Sequence, residues 1–438
     1  MTQIPGLGVI PNHWTSERAR WLLHRQRREV RPSDGIVTAF RDGQVTLREK
    51  RRTEGFTNAV QEIGYQGIRV GDLVVHGMDG FAGAIGVSDS DGKSSPVVHA
   101  YRSSKFADTR YLAYALRMMA MNGYVSTLAK GIRERSTAFD APTLANVLLP
   151  VPPLGEQRRI ADFLDAETTR IDKLVDRRKV QELNLAERSY AAVSEILLPG
   201  ILTNPSGHWP WAWLPRGIID RPLVRLGYVC RLQNGLTIDG KRDLSGDVVT
   251  RPYLRVANVQ AGSLALSTVT EITVPRDVAD RSTLRHGDVL MTEGGDLDKL
   301  GRGTVWRGEL PGCLHQNHVF ALRPDPDRLD GDYLALMTRT LHGRCYFEST
   351  GVKTTNLAST NSSKILSFPI PLPDLSVQRQ LAKQAQQALE TVEAASRLLN
   401  RQRSLLAERR QALITTAVTG QFDVSTASGR NVTDGVHA

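Results

Sequence analysis

Two stretches of this chain, residues 160–196 and 376–418, contain neither proline nor glycine, the residues that most reliably interrupt a helix. Each can therefore run unbroken for roughly 60 Å at about 1.5 Å per residue. Helices this polar gain little from propensity alone and draw their stability from a packed face. The economical partner for each is the other; two separate surface helices are the alternative reading.

The tetrapeptide Leu-Ala-Glu-Arg occurs in both stretches, at 185–188 and 406–409, an offset of 221 residues. At the same offset PVPPLGEQRRI (150–160) overlays PLPDLSVQRQL (371–381), aligning Gln157 with Gln378 and Arg158 with Arg379. Both are proline-stiffened lead-ins ending where a helix can start. The second copy then carries a heptad seam through Leu381, Ala385, Ala388, Val392, Ala395, Leu399, Leu406 and Leu413. The offset predicts a weaker seam in the first copy, through Ile160, Leu164, Glu167, Ile171, Leu174, Arg178, Gln181, Leu185, Arg188, Ala192 and Glu195. Polar residues recur at matching seam positions, Gln181 with Gln402 and Arg188 with Arg409, which favours a common origin.

The segments preceding the helices correspond more loosely. In each, a Gly-Asp turn (Gly71-Asp72, Gly287-Asp288) feeds a short apolar strand, a glycine-rich loop and a second strand ending at an arginine. Those arginines, Arg102 and Arg323, again differ by 221, and each half opens near a His-Trp pair, His13-Trp14 and His208-Trp209. The pattern predicts globular domain, long helix, globular domain, long helix.

A chain of 438 residues exceeds what one core usually organises. No apolar run of membrane-spanning length is present. The N-terminal residues lack the basic and apolar regions of a secretory signal, and three widely spaced cysteines do not make a disulfide framework, so a reducing cytoplasm is expected. The formal net charge of +10 makes a polyanion the first partner to consider.

Taken together these residues resemble the DNA specificity subunit of type I restriction–modification systems. The resemblance spans nearly the whole chain and is carried by PVPPLGEQRRIADFLD, PLPDLSVQRQLA and RRQALITTAVTGQFDV (409–424), with YLRVANV (253–259) and HQNHVFALRP (315–324) similar to strands of the family's recognition domains. The first domain departs most, having no HQNH-like stretch. The resemblance implies an α+β fold in which two target-recognition domains, 1–153 and 201–373, are separated by spacer helices 154–200 and 374–420, packed as an antiparallel coiled coil with pseudo-two-fold symmetry, before a tail at 421–438. It also implies a non-catalytic reader of a split, asymmetric DNA site, without a cofactor, whose partners are double-stranded DNA, methyltransferase subunits and nuclease–translocase subunits. Helix and partner packing would fall to Gln157, Arg158, Ile160, Leu164, Ile171, Leu174 and Leu185 on one helix, and to Gln378, Arg379, Leu381, Val392, Leu399, Leu406 and Leu413 on the other.

Lysine and arginine neutralise phosphates, and arginine also grips guanine with two hydrogen bonds. Candidate DNA contacts in the first domain are therefore Arg25, Arg27 and Arg28, and Arg48, Lys50, Arg51 and Arg52; solvated charge runs are the plain alternative. In the second domain they are Lys241, Arg242, Lys299 and Arg302 on glycine-containing loops, Gln316 and Asn317, and Lys353 and Asn356. Cys313, His315 and His318 could ligate zinc, but no CxxC pair accompanies them, and a hydrogen-bonding strand fits better. GVSDSDGKSS (86–95) has five residues between Gly86 and Gly92 where a phosphate-binding loop has four. No Asn-Pro-Pro-aromatic stretch or cofactor loop of a methyltransferase is present. A coiled-coil protein adaptor and a DNA enzyme with an unrecognised site are the rival functions.

Overall fold

The computed structural model describes residues 2–51, 62–128, 139–201, 222–238, 244–295, 300–353 and 358–424. Helix and strand are mixed throughout, and no helix among the described residues is long and apolar enough to cross a membrane. The chain divides into two compact units, Met1–Arg177 with Arg401–Ala438, and Arg178–Asn400. The boundaries fall inside the long helices, so each unit combines one globular portion with half of each helix.

In the first unit, β1 (Leu23–Gln26), β2 (Leu73–His76), β3 (Ile85–Val87) and β4 (Val98–Ser103) form an antiparallel sheet in the order β1-β4-β2-β3. Helix α1 (Thr109–Met121) follows, its N-terminus capped by Asp108, which accepts from the amides of Arg110 and Tyr111. One face of α1 and the adjoining strands share a core with Ile160, Ala161 and Leu164 at the start of α2 (Leu154–Leu197), and with Ile414, Ala417 and Val418 near the chain's end. Proline fixes where α2 begins, since Pro152 and Pro153 fit only before or within a first turn.

The second unit repeats this order. Strands β5 (Cys230–Asn234), β6 (Val289–Thr292), β7 (Gly303–Val305) and β8 (Val319–Pro324) pair as β5-β8-β6-β7. Helix α3 (Gly331–Thr338) follows, capped by Asp330, which accepts from the amides of Asp332 and Tyr333. Its core takes Val193 and Leu197 from α2 and Ala382, Ala385 and Leu389 from α4 (Leu375–Val418).

The two long helices run antiparallel within each unit. In the first, Ile171 packs on Leu413 and Asp172 meets Arg410 at 3.2 Å; in the second, Asn400 donates to Glu182 at 3.1 Å. The facing residue numbers sum to 582 in both ion and hydrogen-bonded pairs. On α2 the face departs from a strict heptad walk: Gln181 and Arg188 are exposed, while Thr168 is buried and Glu182 and Ser189 are half-buried. An α-helix at 3.6 residues per turn drifts ~20° per heptad, which carries a seven-residue count off the packed side.

Two strands read from sequence are shorter than expected. YLRVANV is strand only to Leu254, the end of a strand Val248–Leu254 that pairs with Thr270–Pro275 apart from the β5-β8-β6-β7 sheet, and then passes into a single 3-10 turn at Val256–Asn258. HQNHVFALRP is interrupted by a turn at Asn317-His318, between a two-residue strand Leu314–His315 and β8, so side-chain alternation does not run through the HQNH letters.

Candidate nucleic-acid interface

In the first unit the edge strand β1 carries its cations onward into the loop that follows. Arg25 and Arg27 are exposed. Tyr101 lies opposite Arg25 in the β1–β4 register, so these side chains share one sheet face with His99. Arg25 is 3.0 Å from His99 Nδ1. Because a guanidinium only donates, the imidazole proton belongs on Nε2. Burial lowers the His99 pKa, and the Arg25 charge lowers it further; burial pushes the Tyr101 hydroxyl up to about 12.

Arg28 is committed elsewhere. It pairs with Asp72, whose carboxylate is fully buried, also receives Arg102 Nε at 2.6 Å and accepts from the Arg69 amide at 2.8 Å. The second unit builds the same clamp with one arginine: Arg323 grips Asp288 with Nε and Nη2 at 2.8 and 2.7 Å, and the Arg285 amide adds 2.8 Å. The Gly-Asp turn and the strand-ending arginine seen in the sequence are thus two sides of one ion pair whose carboxylate is buried in both units.

The REKRR cluster is largely engaged with its own domain. Arg48 is half-buried and reaches Thr38 at 3.4 Å, and Lys50 donates to Ser90 at 2.8 Å. Arg51 donates to both Asp42 oxygens at 2.9 and 2.6 Å and lies 4.0 Å over the Phe40 ring. Against the burial that raises it, that hydrogen bond and charge hold the Asp42 carboxyl below its ordinary range. Arg52 lies outside the described residues.

In the second unit four loop segments converge around Gln316 and Asn317, both half-buried. The Gln316 amide donates to Leu254 and the Asn317 amide to Leu236. Glu293 ties the next two together, donating from its amide to the His318 carbonyl at 2.9 Å and accepting at its own carbonyl from Thr360 at 2.8 Å. Its carboxylate meets His318 Nδ1 at 2.5 Å. Gly235 packs so tightly here that a Cβ would lie 2.2 Å from the Gln316 carbonyl oxygen. Arg302 instead packs on α2, 5.5 Å over the Tyr190 ring. Lys353 pairs with Ala358 through its backbone; its side chain, and Lys241, Arg242, Lys299 and Asn356, lie outside the described residues.

Among the helix residues, Gln157, Ile160, Leu164, Ile171, Gln378 and Leu413 are buried, and Leu174, Leu185, Leu381, Val392, Leu399 and Leu406 are half-buried. Arg158 and Arg379 are exposed, the latter 3.6 Å from Asp330. Gln157 accepts from the Asp108 amide and donates to the Phe106 and Pro152 carbonyls; Gln378 accepts from the Asp330 amide and donates to the Arg328 and Pro373 carbonyls.

His315 is wholly buried with Nδ1 2.7 Å from the Val319 carbonyl, and burial lowers its pKa. Burial pushes the Cys313 and Cys230 thiols up to about 12, away from the thiolate that a metal or an electrophile needs. No group of three ligating side chains occurs among the described residues. The acidic and histidine partners at these loops, Glu293 with His318, went unread in the sequence because 25 residues separate them.

No protein-family model matches the sequence. Curated relatives do. The chain is 22% identical over 327 residues to the type I restriction enzyme StySPI specificity subunit of Salmonella potsdam, covering 74% of this chain and 67% of that one. It is 24% identical over 331 residues to the EcoKI specificity subunit of Escherichia coli, covering 73% and 67%. In fold it is similar to a chain solved in work on complex assembly and conformational transition of a type I restriction–modification system, with a TM-score of 0.69, 20% identity and coverage of 94% and 99%. The HsdS subunit from Thermoanaerobacter tengcongensis matches with a TM-score of 0.50, 20% identity and coverage of 94% and 98%. In sequence and in fold alike, the chain resembles the specificity subunits of type I restriction–modification systems.

Proposed function

We propose that this protein is a sequence-specific DNA-binding specificity subunit that reads a bipartite, asymmetric site and directs adenine methylation and cleavage by partner subunits. Residues 1–153 and 201–373 each read one half-site, and helices 154–200 and 374–420 pack antiparallel as the spacer between them. The chain itself contributes no catalytic group in this reading. Methylation of an adenine inside a duplex requires flipping the base out, which falls to the methyltransferase partner.

The observation that carries the reading is the equivalence of the two globular portions: the same strand order, the same capped helix and the same buried glutamine at the base of a long helix, yet unlike exposed loops. Shared frames with diverged loops suit two different half-sites in neighbouring major grooves, their centres about 34–36 Å apart. Exposed Arg25 and Arg27 supply contacts in the first portion, and the loops around Gln316 and Asn317 supply them in the second. A protein adaptor would need no such diverged pair of loop clusters.

Base-modification sequencing tests this directly. Genomic DNA from cells expressing the chain with its methyltransferase partner should carry a split methylated motif that disappears when this chain alone is removed. A methylation pattern indifferent to the chain rejects the reading in favour of the adaptor.

A further inference from the structure

The loop crossing beside Gln316 and Asn317 is built twice in this chain. In the second unit Glu293, the residue after β6, donates its amide to the carbonyl of His318, just before β8, and accepts at its own carbonyl from Thr360. In the first unit Gly77, the residue after β2, donates to the carbonyl of Val97, just before β4, at 2.7 Å and accepts from Phe139 at 2.7 Å. His76 opposite Val98, and Thr292 opposite Val319, put the two crossings in the same register. Backbone alone makes this frame, and a glycine with a valine suffices for it.

At those two positions the second unit instead carries a carboxylate and an imidazole 2.5 Å apart. The His318 side chain is 53% exposed and that of Glu293 34%, and an ion pair so open to water adds little stability. Its effect is on the ring. A carboxylate only accepts, so the neutral imidazole keeps its proton on Nδ1 and presents Nε2 as an acceptor. Nε2 has no partner among the described residues.

We propose that His318, oriented by Glu293, reads one base of the second half-site by accepting from an exocyclic amino group, adenine N6 or cytosine N4; the proposal rests on the functional reading above. These amino groups are the donors that bases present in the major groove. Guanine O6 and N7 and thymine O4 are acceptors, and would meet Nε2 lone pair to lone pair. A phosphate oxygen is refused for the same reason, and the Glu293 charge adds to the refusal. His318 is the reading group and Glu293 its positioning residue. In the first unit Val97, exposed at the same place in the frame, offers no side-chain hydrogen bond, so the two half-sites are read differently at this point.

Once base-modification sequencing has given the split motif, the full-length chain with its methyltransferase partner is titrated with duplexes changed one base pair at a time across the second half-site. One adenine or cytosine should be favoured over guanine or thymine about tenfold. Glu293→Gly combined with His318→Val copies the first unit. That double variant should melt within about two degrees of the unaltered chain. It should lose the preference at that one position, with the first half-site and the salt slope unchanged. Glu293→Ala alone should admit guanine there, because the ring is then free to carry its proton on Nε2; a purely structural role predicts no such change. An unchanged preference in the folded double variant overturns the proposal alone. So does a melting temperature many degrees lower, which would make the pair structural. Uniform weakening across all duplexes, with the salt slope reduced by about one, would make His318 a phosphate contact and overturn it likewise. Absence of any split motif with the unaltered chain overturns the functional reading together with this one.

Discussion

Gln157 and Gln378 stand 221 residues apart and make the same three hydrogen bonds, each accepting from the amide of a helix-capping aspartate and donating to two backbone carbonyls. Each is wholly buried. One side chain thereby fastens the loop before α1 or α3 to the proline lead-in of a long helix.

Replacing either glutamine by alanine strands one amide and two carbonyls in a buried site. With about 1–3 kcal/mol for each unsatisfied group and partial relief by water, a loss of about 2–4 kcal/mol is expected. Urea unfolding followed by amide exchange should place the Gln157→Ala loss in the first unit and the Gln378→Ala loss in the second. Equal loss of protection across both units in either variant would contradict the assignment.

The first domain's arginines should separate by salt dependence. Arg25→Ala and Arg27→Ala should each weaken DNA binding and reduce the salt slope by about one. Arg51→Ala should leave that slope unchanged while costing stability, since its guanidinium is held by Asp42 and Phe40. Titrations of duplex binding at several salt concentrations decide this, and a flattened slope for Arg51→Ala would return it to the interface.

Removing the buried carboxylate of Asp72 leaves Arg28 and Arg102 facing an emptied site, and removing Asp288 does the same to Arg323. Only the carboxylates are fully buried, and the arginines left behind keep part of their surface in water, so the cost falls below the ~3–5 kcal/mol of a fully buried pair broken from one side. Asp288→Ala and Asp72→Ala, which also strand a backbone amide, should each lower stability by about 1–3 kcal/mol by thermal melting. A shift of only a degree or two would mean that water replaces the carboxylate.

His342 is buried with Nε2 2.7 Å from the Pro369 carbonyl, and burial pushes its pKa down to about 4. The unfolded chain takes up this proton near pH 6.5, the folded chain only near 4. Its folded pKa being depressed, the contribution is present in full above about pH 6.5 and is lost as pH falls toward 4, by up to about 3 kcal/mol. Melting His342→Gln beside the unaltered chain from pH 7 to 4.5 should show a flatter pH profile in the variant. Parallel profiles would remove His342 from the acid response.

Much of this architecture could be read from residue order because its signals are local or repeated. Proline and glycine bound the long helices, and the 221-residue offset picks out Gln157 and Gln378 without any knowledge of their bonds. The candidate site was less legible. Arg28 and Arg51 look like free cations in a basic run, and only the fold brings Asp72 and Asp42 to them from 44 and 9 residues away. The same holds for Glu293 and His318. A charge run records which side chains are present, whereas the availability of each depends on pairings set by sheet register and loop closure.

The division of the chain into units carries a consequence for synthesis. The second unit is one continuous stretch, Arg178–Asn400, whereas the first needs Arg401–Ala438 to be complete, with Ile414, Ala417 and Val418 in its core. The half made first by the ribosome is therefore the half finished last. During translation its apolar surface stays uncovered until the whole second unit has been made, so the N-terminal half is the one exposed to misassembly in the meantime. Trimming the final turns of α4 should accordingly unfold the beginning of the protein and spare its middle.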